Sequence, residues 1–264
     1  MTKRVCSFCG IKLSSSNRAK EHVIPEWLLN LLELRHDEKH IGSRKLPSGE
    51  VIAERSFGAR EIKYGLVCAG CNGGWLSALE VVVKEIFSRL FTMKPLSLGK
   101  EDCSSLAIWA YKTAILLALT ADQDRKSLIR PKALSELYET RELPKTADVG
   151  LLLAIPSPNK KAETIIHAPE FIDQGPFSSS RDHFGQLVNE SLGYATMLQF
   201  GHVVLRIINI DPRHRWKILD MNSAPQLRLG TITESTSFAW PPRVWLGKKL
   251  YDLAAGIKFS LRGI

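Results

Sequence analysis

Apolar residues recur at three- and four-residue intervals from Trp75 onward: Trp75, Leu76, Leu79, Val82, Val83, Ile86, Phe87 and Leu90. This spacing predicts an amphipathic helix through Phe91, ended by Pro95 and Gly99. A second helix is expected from Glu101 to Ala121, with Leu106, Trp109, Thr113, Leu116 and Leu117 on one face. Beyond Pro144 the texture changes. GLLLAIP, GYATMLQF, HVVLRIINI, WKILDM and LRLGTIT are short apolar and β-branched runs separated by turn-forming residues, the pattern of a mixed or antiparallel sheet. A last helix is expected from Leu246 to Ala255. Before Trp75 the chain is poor in long apolar runs and rich in Ser and Gly, so Met1–Glu80 buries little core by itself and calls for a metal staple.

Composition narrows the class. With 264 residues, 44% hydrophobic and 24% charged, the chain has the profile of a folded globular protein, which excludes disordered and fibrous classes. Lys and Arg number 36 against 27 Asp and Glu, a formal charge of +9. This balance favours an anionic partner, nucleic acid first. The excess is spread along the chain: residues 1–80 carry +3 and the remainder +6. The N-terminus has early positive charges without an apolar run behind them, unlike a signal peptide. The apolar run Ala114–Ala121 is too short to span a bilayer. The expected location is therefore the reducing cytoplasm, where disulfides are rare.

Four of the five cysteines form two pairs, Cys6-x2-Cys9 and Cys68-x2-Cys71. Four thiolates are the complement of a tetrahedral structural zinc, and a two-residue gap lets both sulfurs of a knuckle reach one ion. A single pair also fits a thioredoxin-like redox motif, but that reading leaves the second pair unexplained. The 58 residues between Cys9 and Cys68 exceed a simple zinc ribbon, so something is inserted between the knuckles. Cys103, in the second expected helix, reads as a small buried hydrophobe.

The insert opens with Lys20-Glu21-His22-Val23-Ile24-Pro25-Glu26-Trp27, and the second pair runs on as Cys71-Asn72-Gly73-Gly74-Trp75. Over Cys6–Glu80 the chain resembles the zinc-stapled branch of the HNH, or ββα-metal, endonucleases. That branch orders its motifs as CxxC, then Asp/Glu-His-Ile/Val-x-Pro, then CxxC followed directly by His or Asn. The resemblance implies a zinc-stapled ββα-metal nuclease module at 1–91; with the helical and strand patterns read above, the expected fold class is α+β, the module being followed by a helical segment and an α+β C-terminal half at 92–264. It implies hydrolysis of phosphodiester bonds, in DNA first, leaving a 5′-phosphate, in a bacterial or phage restriction or defence setting. His22 is then the general base, Glu21 and Asn72 ligands of a catalytic Mg²⁺ or Mn²⁺, and Cys6, Cys9, Cys68 and Cys71 the ligands of a structural zinc. The chemistry suits these residue types. An imidazole titrating near working pH activates water, while carboxylate and amide oxygens hold a hard cation. Glu21 stands where Asp is more frequent, Asn72 where many members carry His, and Lys63 where the family's middle Asn is usual.

Taken singly, Asn72 also reads as a helix N-cap. Glu80 reads as a solvated helix charge or a further ligand. Trp27 and Trp75 read as core. His36 and His40, in LRHDEKH, read as an exposed helix end. A helix at Glu26–Leu34 and strands near Val51–Phe57 fill the insert. Arg213-His-Arg215-Trp216-Lys217 and Arg243-Val-Trp245-Leu-Gly-Lys248-Lys249 interleave bases with Trp, fitting phosphate contact and stacking or solvated charges around buried rings. Two other functional readings stay open. One is a catalytically lapsed zinc-stapled module that still binds nucleic acid; the other is a zinc-stabilised interaction subunit of a larger complex. Two-strand cutting from single-site chains points to a homodimer, and the C-terminal half offers a surface for that or for a partner protein.

Overall fold

The computed structural model describes residues 4–33, 39–45, 51–120, 129–153 and 193–210, together with the short strands at 164–166, 170–171, 180–181, 187–188, 227–229 and 238–240. The fold is α+β, and every strand pairing among the described residues is antiparallel.

The N-terminal part is built on two paired strands, β1 (Arg18–His22) and β4 (Lys63–Cys68), with a bulge between Ala19 and Glu21. Between them lie α1 (Glu26–Leu31) and a second antiparallel pair, β2 (Lys39–Lys45) with β3 (Val51–Gly58). The helix expected to reach Leu34 stops at Leu31, and Glu33 takes a left-handed backbone with φ +55°. His40 lies in β2 opposite Phe57, not at a helix end, because strand pairing overrides the local i, i+4 pattern. His36 lies outside the described residues.

Directly after β4 the chain turns helical: α2 (Ala69–Cys71), a widened turn at Asn72–Leu76, and α3 (Ser77–Phe91). The widening coincides with Gly74, whose φ −96° and ψ −105° are non-helical. The expected apolar face of α3 is only partly buried: Leu79, Val83, Ile86, Phe87 and Leu90 point inward, whereas Val82 is exposed.

Helix α4 (Lys100–Thr120) matches its expected span but not its expected single apolar face. Cys103 and every residue from Leu106 to Ala118 are buried, so the helix is enclosed on all sides by α3, α5 (Ala133–Thr140), β4 and sheet strands. By length and composition it is long and apolar enough to cross a membrane, with a mean hydropathy of 1.4 over its apolar window, and 78% of that window is buried inside the protein. The run Ala114–Ala121 therefore understated its apolar length.

The C-terminal sheet has the order β13 (Leu227–Leu229), β6 (Ala147–Leu153), β12 (Val203–Ile210), β11 (Gly193–Phe200), β7 (Thr164–Ile166), with β8 (Glu170–Phe171) also pairing with β11. Strands β11 and β12 form a hairpin whose tight turn uses the left-handed Gly201, φ +58°. Its other turn residue, His202, bonds the Leu90 carbonyl through Nε2 at 3.1 Å and stands edge-on to Phe91, tying the hairpin to the end of α3. Leu96–Leu98 (β5) pairs with Phe238–Trp240 (β14), a strand pair that periodicity did not mark. WKILDM, the Leu246–Ala255 helix and both Trp-interleaved basic stretches lie outside the described residues.

One continuous cluster of buried residues runs from Cys6 to Ile207. At its centre Phe87 meets Trp109 edge-on at 5.4 Å, with Trp27 and Phe200 each 5.8 Å from the Phe87 ring. Helices α1, α3 and α4 and the sheet strand β11 thus share one aromatic core.

Candidate metal centre and the Glu21–His22 strand end

The first cysteine pair sits in a tight loop closed by Cys6 N–H to the Ile11 carbonyl at 2.8 Å and Gly10 N–H to the Cys6 carbonyl at 2.9 Å. Gly10 has φ +72°, a conformation that side chains resist. The loop is anchored to β4 by Ser7 N–H on the Leu66 carbonyl at 2.9 Å, and by Ser7 Oγ on the Tyr64 hydroxyl at 2.6 Å. Buried Phe8 meets Trp75 edge-on at 5.8 Å, so the first knuckle packs on the turn that follows the second.

This packing brings the Sγ atoms of Cys6, Cys9, Cys68 and Cys71 within 4.8 Å of one another, with none in a disulfide. Sulfurs on a tetrahedral ion at about 2.3 Å lie roughly 3.8 Å apart, and Cys9 and Cys68 are at 3.6 Å. Backbone donors already face the sulfurs: Cys68 N–H bonds Cys6 Sγ at 3.4 Å and Cys71 N–H bonds Cys68 Sγ at 3.3 Å. Burial pushes the Cys9 and Cys71 thiols up; at Cys6 burial is outweighed by N–H groups of Cys9, Phe8 and Cys68, and its thiol lies below the usual value. The four residues form a group able to hold one metal ion. Cys103 stands apart, buried in α4, its thiol pushed up to about 11 by burial and the neighbouring Asp102.

Glu21 and His22 are the last two residues of β1. Glu21 is buried, and its Oε1 accepts a hydrogen bond from Lys112 Nζ at 2.8 Å. His22 is half-buried. Burial, then the positive charge of Lys63, lowers its pKa from 6.5, against the opposing pull of Glu26 and Glu21. Its ring is therefore neutral at pH 7, the form a base requires. Lys63 lies directly across the strand pair from His22. Arg60 fixes the flank, bonding Glu26 at 2.9 Å and Asn30 at 2.8 Å.

Asn72 opens the widened turn, and β1 packs against that turn. It is not the N-cap. Cys68 takes that place, its Sγ accepting from Cys71 N–H, while Asn72 is already helical at φ −64° and ψ −52°. The Asn72 Oδ1 atom is buried and bonds no partner. A buried amide oxygen left unpaired costs about 1–3 kcal/mol, and such an atom fits the role of a ligand oxygen.

Glu80 is not a solvated charge. It lies 3.5 Å from Lys112 Nζ, and burial raises its pKa although Lys112 opposes the shift. Trp27 and Trp75, expected as core, are partly buried and pack against it. Arg141, unmarked in the sequence reading, lays its guanidinium 4.2 Å from the Trp75 ring and 3.9 Å from Tyr138. Lys112 was missed as well, although a lone charge inside AIWAYKTAILLALT is a legible anomaly, since Lys is rarely buried unpaired.

No family model, no curated protein and no solved structure matches the chain.

Proposed function

We propose that the protein is a metal-dependent endonuclease that hydrolyses phosphodiester bonds, with DNA as the first substrate. The observation that carries this reading is the packing of β1, the strand that ends in Glu21 and His22, against the turn opened by Asn72 immediately after the second cysteine pair. His22 is the base: neutral at pH 7, it takes the proton from the attacking water. Asn72 offers its unpaired buried oxygen, and Glu21 its carboxylate, to a Mg²⁺ or Mn²⁺ ion. Such an ion, when bound, supplies a positive charge that stabilises the phosphate in the transition state. Zinc is the metal assigned to Cys6, Cys9, Cys68 and Cys71, since four clustered thiols suit a soft tetrahedral ion. Its role is structural, fixing β1 and the Asn72 turn in one frame.

The test is cleavage of supercoiled plasmid in Mg²⁺ and in Mn²⁺ by the wild type and by His22→Ala. Metal-dependent nicking by the wild type, lost in the variant, is the expected result. Equal cutting by the two proteins refutes the assignment of His22.

One observation favours a second reading. Glu21 is already neutralised by Lys112, as befits a zinc-stapled module that binds nucleic acid without cutting it. That module would show salt-sensitive binding and no nicking in either metal.

A further inference from the structure

The Lys112 side chain is fully buried, with 0% of its surface exposed, and its Nζ lies between two carboxylates: Glu21 Oε1 at 2.8 Å and Glu80 Oε1 at 3.5 Å. It comes from the middle of α4, whereas Glu21 ends β1 and Glu80 lies in the first turn of α3. We propose that Lys112 is a built-in restraint on the candidate site: its ammonium holds the Glu21 carboxylate that a divalent ion needs, and the ion binds in competition with it. This inference rests on the nuclease reading for its functional meaning and on the buried triad for its chemistry.

The argument is electrostatic. Two carboxylates and one ammonium leave the triad with one net negative charge, and a divalent ion arriving at Glu21 meets the ammonium at short range. In a poorly solvated interior the repulsion between them is screened far less than at the surface. The bond to Oε1 also takes one of the two oxygens that Glu21 could offer. Two further observations bear on the same place. The turn packed against β1 carries Asn72, whose buried Oδ1 bonds no partner. The restraint also reaches across the chain, because Lys112 belongs to the helix enclosed by the C-terminal sheet. Displacing Lys112 from Glu21 therefore requires α4 or its side chain to shift.

The experiment uses the full-length zinc-loaded chain as wild type, Lys112→Met and the double variant Lys112→Met/Glu80→Gln. Methionine keeps the apolar stem without the charge. The double variant keeps the net charge of the triad, which guards against a variant that fails to fold with two uncompensated carboxylates. Mn²⁺ affinity is measured by calorimetric titration, with unfolding temperature followed in parallel. The expected result is at least about a tenfold gain in Mn²⁺ affinity in a folded variant, together with an unfolding temperature that Mn²⁺ raises more in the variant than in the wild type. Adding Glu21→Gln to either variant should abolish the gain. Unchanged or weaker Mn²⁺ affinity in a folded variant overturns the proposal, as does a gain that survives Glu21→Gln. Plasmid cleavage by the same proteins separates the two inferences. Tighter Mn²⁺ binding with no cutting by any protein upholds the restraint and sinks the nuclease; cutting with identical Mn²⁺ dependence does the reverse.

Discussion

Lys63 faces His22 directly across the β1–β4 pair, and its charge adds to burial in holding the imidazole neutral. Removing that charge by Lys63→Gln should raise the His22 pKa part of the way back toward 6.5. The acid limb of any cleavage profile should move to higher pH with it. Histidine proton resonances, with His22→Gln to assign the signal, read the shift directly; an unmoved midpoint would remove Lys63 as a cause.

The same histidine carries a stability consequence whose sign is fixed. Its pKa is lower in the folded protein than the ordinary 6.5, so between those two values the unfolded chain binds more protons. Stability from this group is complete above 6.5 and declines as pH falls through that window. Urea midpoints of the wild type should therefore drop between pH 7 and pH 5 more than those of His22→Gln.

Replacing Cys71 by serine should cost the protein its bound metal and lower its unfolding temperature by several degrees. The loss reflects Phe8, Trp75 and Tyr64, which pack around the cysteine cluster and depend on its position. Metal content by elemental analysis beside a thermal scan checks both halves. Full metal retention by Cys71→Ser would remove this residue from the ligand set.

Phe87→Ala should destabilise the fold by about 3–5 kcal/mol, because its ring meets Trp27, Trp109 and Phe200 at once. Arg141→Ala should cost less, about 1–2 kcal/mol, by removing a guanidinium stacked on two partly exposed rings. Denaturant unfolding of the two variants should rank them in that order.

The cysteine pairs, the Glu-His dipeptide and the two long helices were legible in the sequence because each has a local signature: a fixed spacing, a motif or a period. The α4 helix shows the limit. Its span was readable, but a face assigned from Leu106, Trp109 and Leu116 presumed that one side meets water, and a helix covered by sheet on one side and α3 on another has no such side. Glu80 shows the same limit for charge. Position along the helix gave its direction, whereas its partner comes from a residue 32 positions further on. Strand β5 was missed because its three residues pair with Phe238–Trp240, far along the chain. Asn72, a ligand by resemblance and a cap when taken singly, is not the cap, because the sulfur of Cys68 fills that place, a role that composition alone does not assign.

The two cysteine pairs are separated by 58 residues that include α1, the β2–β3 pair, β1 and nearly all of β4. An ion gripped by both pairs therefore does more than hold two knuckles together. It closes a ring in the chain, and closing a ring of that size before folding removes conformational freedom worth about 4 kcal/mol from the unfolded ensemble in the chain-entropy account. A metal-loaded chain begins its search with β1 and β4 already neighbours. Metal-free, the same chain must find that pairing across the whole insert, and refolding should be slower by the time that encounter takes.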